Sequence, residues 1–101
     1  MKIAQQLIFT GFIALLFVSC SAKPQAGFTW SPLEPKIGED VSFNNLSIDA
    51  KKYSWNLGNM SVSKDVNPVH VYSSAGEYII DLTASKGLKS DTKTKTIIIT
   101  E

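Results

Sequence analysis

The chain contains no arginine, one histidine and one cysteine. Without arginine there is no guanidinium fork for bidentate pairing with phosphates or base edges, which sets nucleic acid aside as a partner. With a single cysteine, no intramolecular disulfide can staple the fold. With a single histidine, His70, a catalytic triad would need a nucleophile and an orienting acid, and nothing near it in the sequence supplies them. No paired carboxylates, metal-ligand spacing or phosphate-binding loop appears either, so the sequence offers no enzyme, no metal site and no cofactor. What is abundant is apolar residues, at 44%, too many for a disordered chain and enough for one small domain in 101 residues.

The longest apolar stretch comes first. Lys2 is the only charge before Cys20, and the run "LIFTGFIALLFV" ends in "SC". A basic start, an apolar centre of this length and a small residue before the end describe a secretion signal over residues 1–19, whereas a membrane-spanning helix needs about 20 apolar residues. Val18, Ser19 and Cys20 resemble the lipobox of bacterial lipoproteins, with Phe17 where Leu is more usual. The resemblance implies that Cys20 becomes the acylated first residue, which also accounts for a lone thiol on an exported protein. The expected location is the bacterial cell envelope, lipid-anchored at the outer membrane. "SAKPQA", with Pro24 against helix formation, reads as a short tether, so residues 20–26 are expected to be lipidated Cys plus leash. Without Lys2, nine lysines face nine acidic residues and the formal charge is zero.

From residue 27 to 101 the periodicity is two. Val41 and Phe43 share a face; Tyr53, Trp55 and Leu57 share another; Tyr78, Ile80, Leu82 and Ala84 a third. "SVSKDV" reads as a weak edge, and "KTKTIIIT" as a last strand whose three consecutive isoleucines leave its inner face undecided. Short strands separated by Pro, Gly and Asn turns predict an all-β, antiparallel sandwich with two sheets burying their alternating faces against each other.

"GEDVSFNNLS", "YSWNLGNMSVS" and "NPVHVYSSAGEYIIDLTAS" together resemble a PKD (polycystic kidney disease-type) domain. Tyr53, Trp55, Gly58, Ser63, Pro68, His70, Tyr72, Gly76, Tyr78, Leu82 and Thr83 stand at the family positions without a gap. The resemblance implies an immunoglobulin-like β-sandwich, a structural role for His70 and a core position for Trp55. The family pattern W-D-F-G-D-G reads Trp55, Asn56, Leu57, Gly58, Asn59, Met60 here, so both acids are amides and the second Gly is Met. A hard cation would lose its carboxylates, while Asn still closes Asx turns, so the segment is expected to be a structural turn with no metal.

Phe28 and Trp30 are the candidate contact residues. They either cap one open end of the sandwich or present an aromatic pair to a sugar or a protein. Lys86, Lys89, Lys93 and Lys95 form a basic stripe, expected to protect an edge strand from pairing in preference to forming an anionic-lipid patch. The function that remains is a noncatalytic, lipid-anchored interaction or accessory module binding an envelope protein. The alternative is a surface lipoprotein that binds polysaccharide through exposed aromatics.

Overall fold

Side chains alternate across a strand, so each apolar row found at period two must face one layer of the molecule. In the computed structural model, which describes residues 22–101, these rows face each other across two sheets. The strands are β1 (Phe28–Ser31), β2 (Asp40–Asn45), β3 (Lys52–Asn56), β4 (Val62–Ser63), β5 (Val69–Val71), β6 (Gly76–Lys86) and β7 (Lys89–Ile99). One sheet has the order β1-β2-β5 and the other β4-β3-β6-β7, each with antiparallel neighbours. The weak segment "SVSKDV" supplies β4, and it lies at an edge.

Between the sheets lie Val41 and Phe43 of β2, Trp55 and Leu57 on and after β3, Ile80 and Leu82 of β6, and Ile97 and Ile99 of β7. The isoleucine ambiguity is therefore resolved: Ile97 and Ile99 point inward and Ile98 outward, 57% exposed. The rings of Phe28 and Phe43 stand 5.1 and 5.5 Å from that of Trp55. Burial of large rings in tilted and edge-on contact is the main source of cohesion in a domain with no disulfide. Two polar handles are satisfied inside this core. The Trp55 indole N–H donates to the Asp65 carbonyl at 2.9 Å, and the Tyr72 hydroxyl to the Leu57 carbonyl at 2.7 Å.

The hairpin joining β6 to β7 turns at Gly87 and Leu88, where Gly87 has φ 60, the type II′ position that glycine fills without steric cost. At the other end of β7 the chain is joined from the opposite sheet. After β1, residues 35–37 run parallel to the end of β7, with Ile37 N–H donating to Thr100 O at 2.9 Å and Thr100 N–H to Pro35 O at 3.1 Å. This one segment links both sheets and closes that side of the sandwich.

The expected tether does not end where the sequence placed it. Pro24 is buried, Gln25 pairs with Ile48 through two backbone bonds of 2.9 and 2.8 Å, and the Ala26 N–H donates to the Asp91 carboxylate at 2.8 Å. Residues 24–26 are therefore part of the sandwich and not a leash. The physical reason is that β6 and β7 extend past the core, and the N-terminal segment covers the inner side of this overhang.

Candidate functional site

The turn after Trp55 is built by local hydrogen bonds. Asn56 Oδ1 accepts the Gly58 N–H at 3.0 Å, Leu57 N–H donates to Ser61 O at 2.8 Å, and Ser61 N–H donates to Gly58 O at 2.9 Å. Gly58 has φ 77, and a Cβ there would meet the Tyr78 Cβ at 3.0 Å. Only glycine fits both the conformation and the approach. Asn59 and Met60 follow with φ 51 and 61, the paired positive values of a type I′ turn. Asn tolerates this region, whereas Met stands where glycine is preferred and is 99% exposed. Asn56 thus spends its side chain on the backbone, as expected of a structural turn. Among the described residues no three of His, Cys, Asp and Glu gather into a metal-holding group.

His70 lies on β5 opposite Val41, its ring edge-on to Tyr72 at 4.6 Å. Its Nε2 is buried without a hydrogen bond, and burial lowers its pKa below the ordinary 6.5. The Tyr72 ring also meets Tyr78 at 4.6 Å, and Tyr78 donates to the Ser74 carbonyl at 2.7 Å, closing the loop that ends at Gly76. Burial, reinforced by Tyr78, pushes the Tyr72 hydroxyl up to about 12. Pro68 is buried and its carbonyl accepts the Phe43 N–H at 2.9 Å. Tyr53 packs half-buried on the core rim. These are packing roles, and none brings a nucleophile to His70.

The candidate contact pair separates. Phe28 is 1% exposed, with its ring turned into the core against Trp55, so as a candidate contact residue it is corrected: of the two readings, an exposed aromatic pair fails for Phe28, which packs at the core instead. The first strand places Phe28 and Trp30 on one face, but only Phe28 lies deep enough to be covered. Lys95 closes over both rings, 5.3 Å from the Phe28 centroid and 5.9 Å from that of Trp30, while its Nζ donates to Phe28 O at 2.7 Å. Lys95 therefore caps the aromatic cluster instead of belonging to a solvated edge stripe.

Trp30 remains half-buried, its indole N–H donating to Leu33 O at 3.3 Å. It forms one wall of a shallow cleft of ≈ 190 Å³ together with Leu33, Glu34, Thr96, Ile98 and Thr100. The cleft brings an indole, two aliphatic side chains, a carboxylate and two hydroxyls onto one surface. Four of these residues had no signal in the sequence, because they come from the β1–β2 connection and the end of β7, which only the parallel crossing brings together. Cys20 lies outside the described residues.

Residues 22–100 match the family model of the PKD domain. The chain belongs to the PKD-domain family. A stretch of 74 residues is 30% identical to collagenase ColA of Bacillus cereus, covering 66% of this chain and 8% of ColA. The chain thus spans less than a tenth of that relative. Among solved structures, one of carbohydrate-binding modules from the β-sandwich superfamily aligns with TM-score 0.75 and 30% identity, over 79% of this chain and 35% of that one. The PKD1 domain of the Vibrio cholerae metalloprotease PrtV aligns with TM-score 0.67 and 28% identity, over 79% of this chain and all (100%) of that one. The PrtV PKD1 domain is thus a folded unit solved without neighbouring domains, whereas the match to ColA covers a small part of a much longer protein.

Proposed function

We propose that this PKD domain is a noncatalytic interaction module of the bacterial cell envelope, anchored by acyl groups on Cys20, which engages a protein partner through the Trp30 cleft. The observation that carries this reading is the cleft itself. At ≈ 190 Å³ it falls below the roughly 300–1,000 Å³ that encloses small ligands, and its apolar walls at Trp30, Leu33 and Ile98 suit a side chain inserted from a partner surface. Glu34 at the rim adds charge selection without being buried.

The test places a photo-crosslinking residue at Thr96 in the intact lipoprotein and compares it with the same probe at Ser54, on a different strand. Crosslinking to one envelope protein from Thr96 alone, lost in Trp30→Ala, is the expected result. A second reading, polysaccharide binding, draws on the likeness to carbohydrate-binding modules and on the indole, carboxylate and hydroxyls of the same cleft. Trp30-dependent retention on a polysaccharide, without a Thr96 crosslink, would replace the first reading with the second. The anchor is tested separately: Cys20→Ser should abolish lipid labelling and move the protein out of the detergent phase.

A further inference from the structure

After Lys2 the lysines and acids balance in number, yet folding separates them. At the end where the N-terminal segment docks, Gln25 pairs with Ile48, Lys51 N–H donates to Ser85 O at 2.8 Å, Lys52 faces Ser85, and Lys86 faces Lys89 across the hairpin. Lys23, Lys51, Lys52, Lys86 and Lys89 therefore share one end; Asp49 and Asp91 lie among them, Asp65 follows β4 on the same side, and Asp91 already accepts the Ala26 N–H. At the other end Lys36 pairs with Thr100, Gly38 N–H donates to Tyr72 O, and Glu77 faces Ile98. Here Glu34, Glu39, Asp40, Glu77 and Glu101 gather around one lysine, Lys36. The eleven residues of β6 separate the two ends by roughly 35 Å at ~3.3 Å per residue, several Debye lengths of ~8–10 Å in salt. Each end thus meets its surroundings independently of the other.

We infer that the lysine end is a docking surface for an anionic lipid bilayer, holding the domain upright with the Trp30 cleft and the acidic end directed away from the membrane. This rests on the reading of Cys20 as the acylated residue. Chain geometry alone keeps Cys20 within about 13 Å of Pro24, four residues on at ~3.3 Å each, so the anchor emerges at the lysine end. Leu88 strengthens the assignment. It is 107% exposed at the hairpin tip with Lys86 and Lys89 beside it, an apolar tip between cations of the kind that settles at a headgroup boundary. Protection of sheet edges accounts for only part of the cluster: Lys89 lies on the edge strand β7 and Lys52 on the part of β3 that β4 does not cover, but Lys23 and Lys51 lie outside the strands. A lysine near an anionic surface strengthens binding about fivefold, the equivalent of ~1 kcal/mol. Several together cannot replace the acyl chains, but with the domain already tethered they set its orientation.

The test uses residues 22–101, which contain both sheets and match a PKD domain that is folded as a separate chain. The fragment is floated with vesicles of phosphatidylcholine alone and with added phosphatidylglycerol, at low and high salt. It should bind the anionic vesicles, release at high salt and ignore the neutral ones. Lys51→Gln with Lys52→Gln should weaken binding on the order of 25-fold, two factors of about five. Leu88→Ser should weaken it further, and Lys36→Gln at the far end should change nothing. Equal binding to neutral vesicles, no binding to anionic ones, or an equal loss from Lys36→Gln would overturn the inference. Because the fragment lacks Cys20, these outcomes are independent of the lipid-labelling result for Cys20→Ser.

Discussion

The two tryptophans stand on either side of the same phenylalanine, Phe43, at 5.5 and 6.4 Å, and meet opposite fates. Trp55 comes from an interior strand, is 1% exposed and has its indole N–H bound inside the fold. Trp30 comes from an edge strand and keeps part of its face at the cleft. Depth beneath the facing sheet, and not residue type, separates a stability residue from a contact residue. The same division runs through the rest of the domain: Tyr72 belongs to the interior and Met60 to the rim.

The largest expected effect tests this division directly. Trp55→Ala should lose about 3–5 kcal/mol in denaturant titration, through the cavity left among Phe28 and Phe43, enough to threaten folding of a domain this small. Trp30→Ala should cost less than half of that, and comparable losses would erase the distinction between interior and rim. Tyr72→Phe comes next, at about 1–3 kcal/mol, because it leaves the Leu57 carbonyl without its buried donor. Tyr72 also predicts alkaline behaviour. The unfolded hydroxyl ionises near 10 and the folded one near about 12, so the folded state holds the extra proton and stability falls as pH rises above 10. Tyr72→Phe should flatten that decline.

At the rim the sign reverses. Met60→Gly should raise stability by about 0.5–1 kcal/mol, since the left-handed strain of ~1–2 kcal/mol exceeds the added chain entropy of glycine. A loss instead would mean that exposed Met60 makes a contact that strain alone does not describe. The smallest effect belongs to His70. Its folded pKa lies below 6.5, so the unfolded chain takes up protons first. Its contribution is complete above 6.5 and is lost as pH falls toward the lowered value. Denaturation between about pH 5 and about pH 8 should show a slope that is shallower in His70→Phe.

Much of the interior was legible because its signals are local. Val41 with Phe43, Trp55 with Leu57, and Ile80 with Leu82 and Ala84 lie two residues apart, and a strand can bury them only on one face. The turn at Asn56 to Ser61 was equally readable, since its hydrogen bonds close within a few residues. The rim was not. Nothing local distinguishes Phe28 from Trp30, or marks Pro24 as buried, because both outcomes depend on Lys95 and Asp91 some 65 residues away. The inner face of three consecutive isoleucines was likewise open until β7 paired with β6.

By itself, then, the sequence determined an all-β PKD sandwich, its aromatic core and its amide-bearing turn, all encoded in side-chain alternation and short-range backbone chemistry. Tertiary structure alone decided that Trp30 stays at a cleft while Phe28 is covered, that residues 24–26 join the fold, and that equal numbers of lysines and acids collect at opposite ends. Alternation assigns a residue to a face of its strand. Depth, crossing segments and charge grouping depend on which distant strands lie beside it, and chain closure settles that only when the two sheets pack.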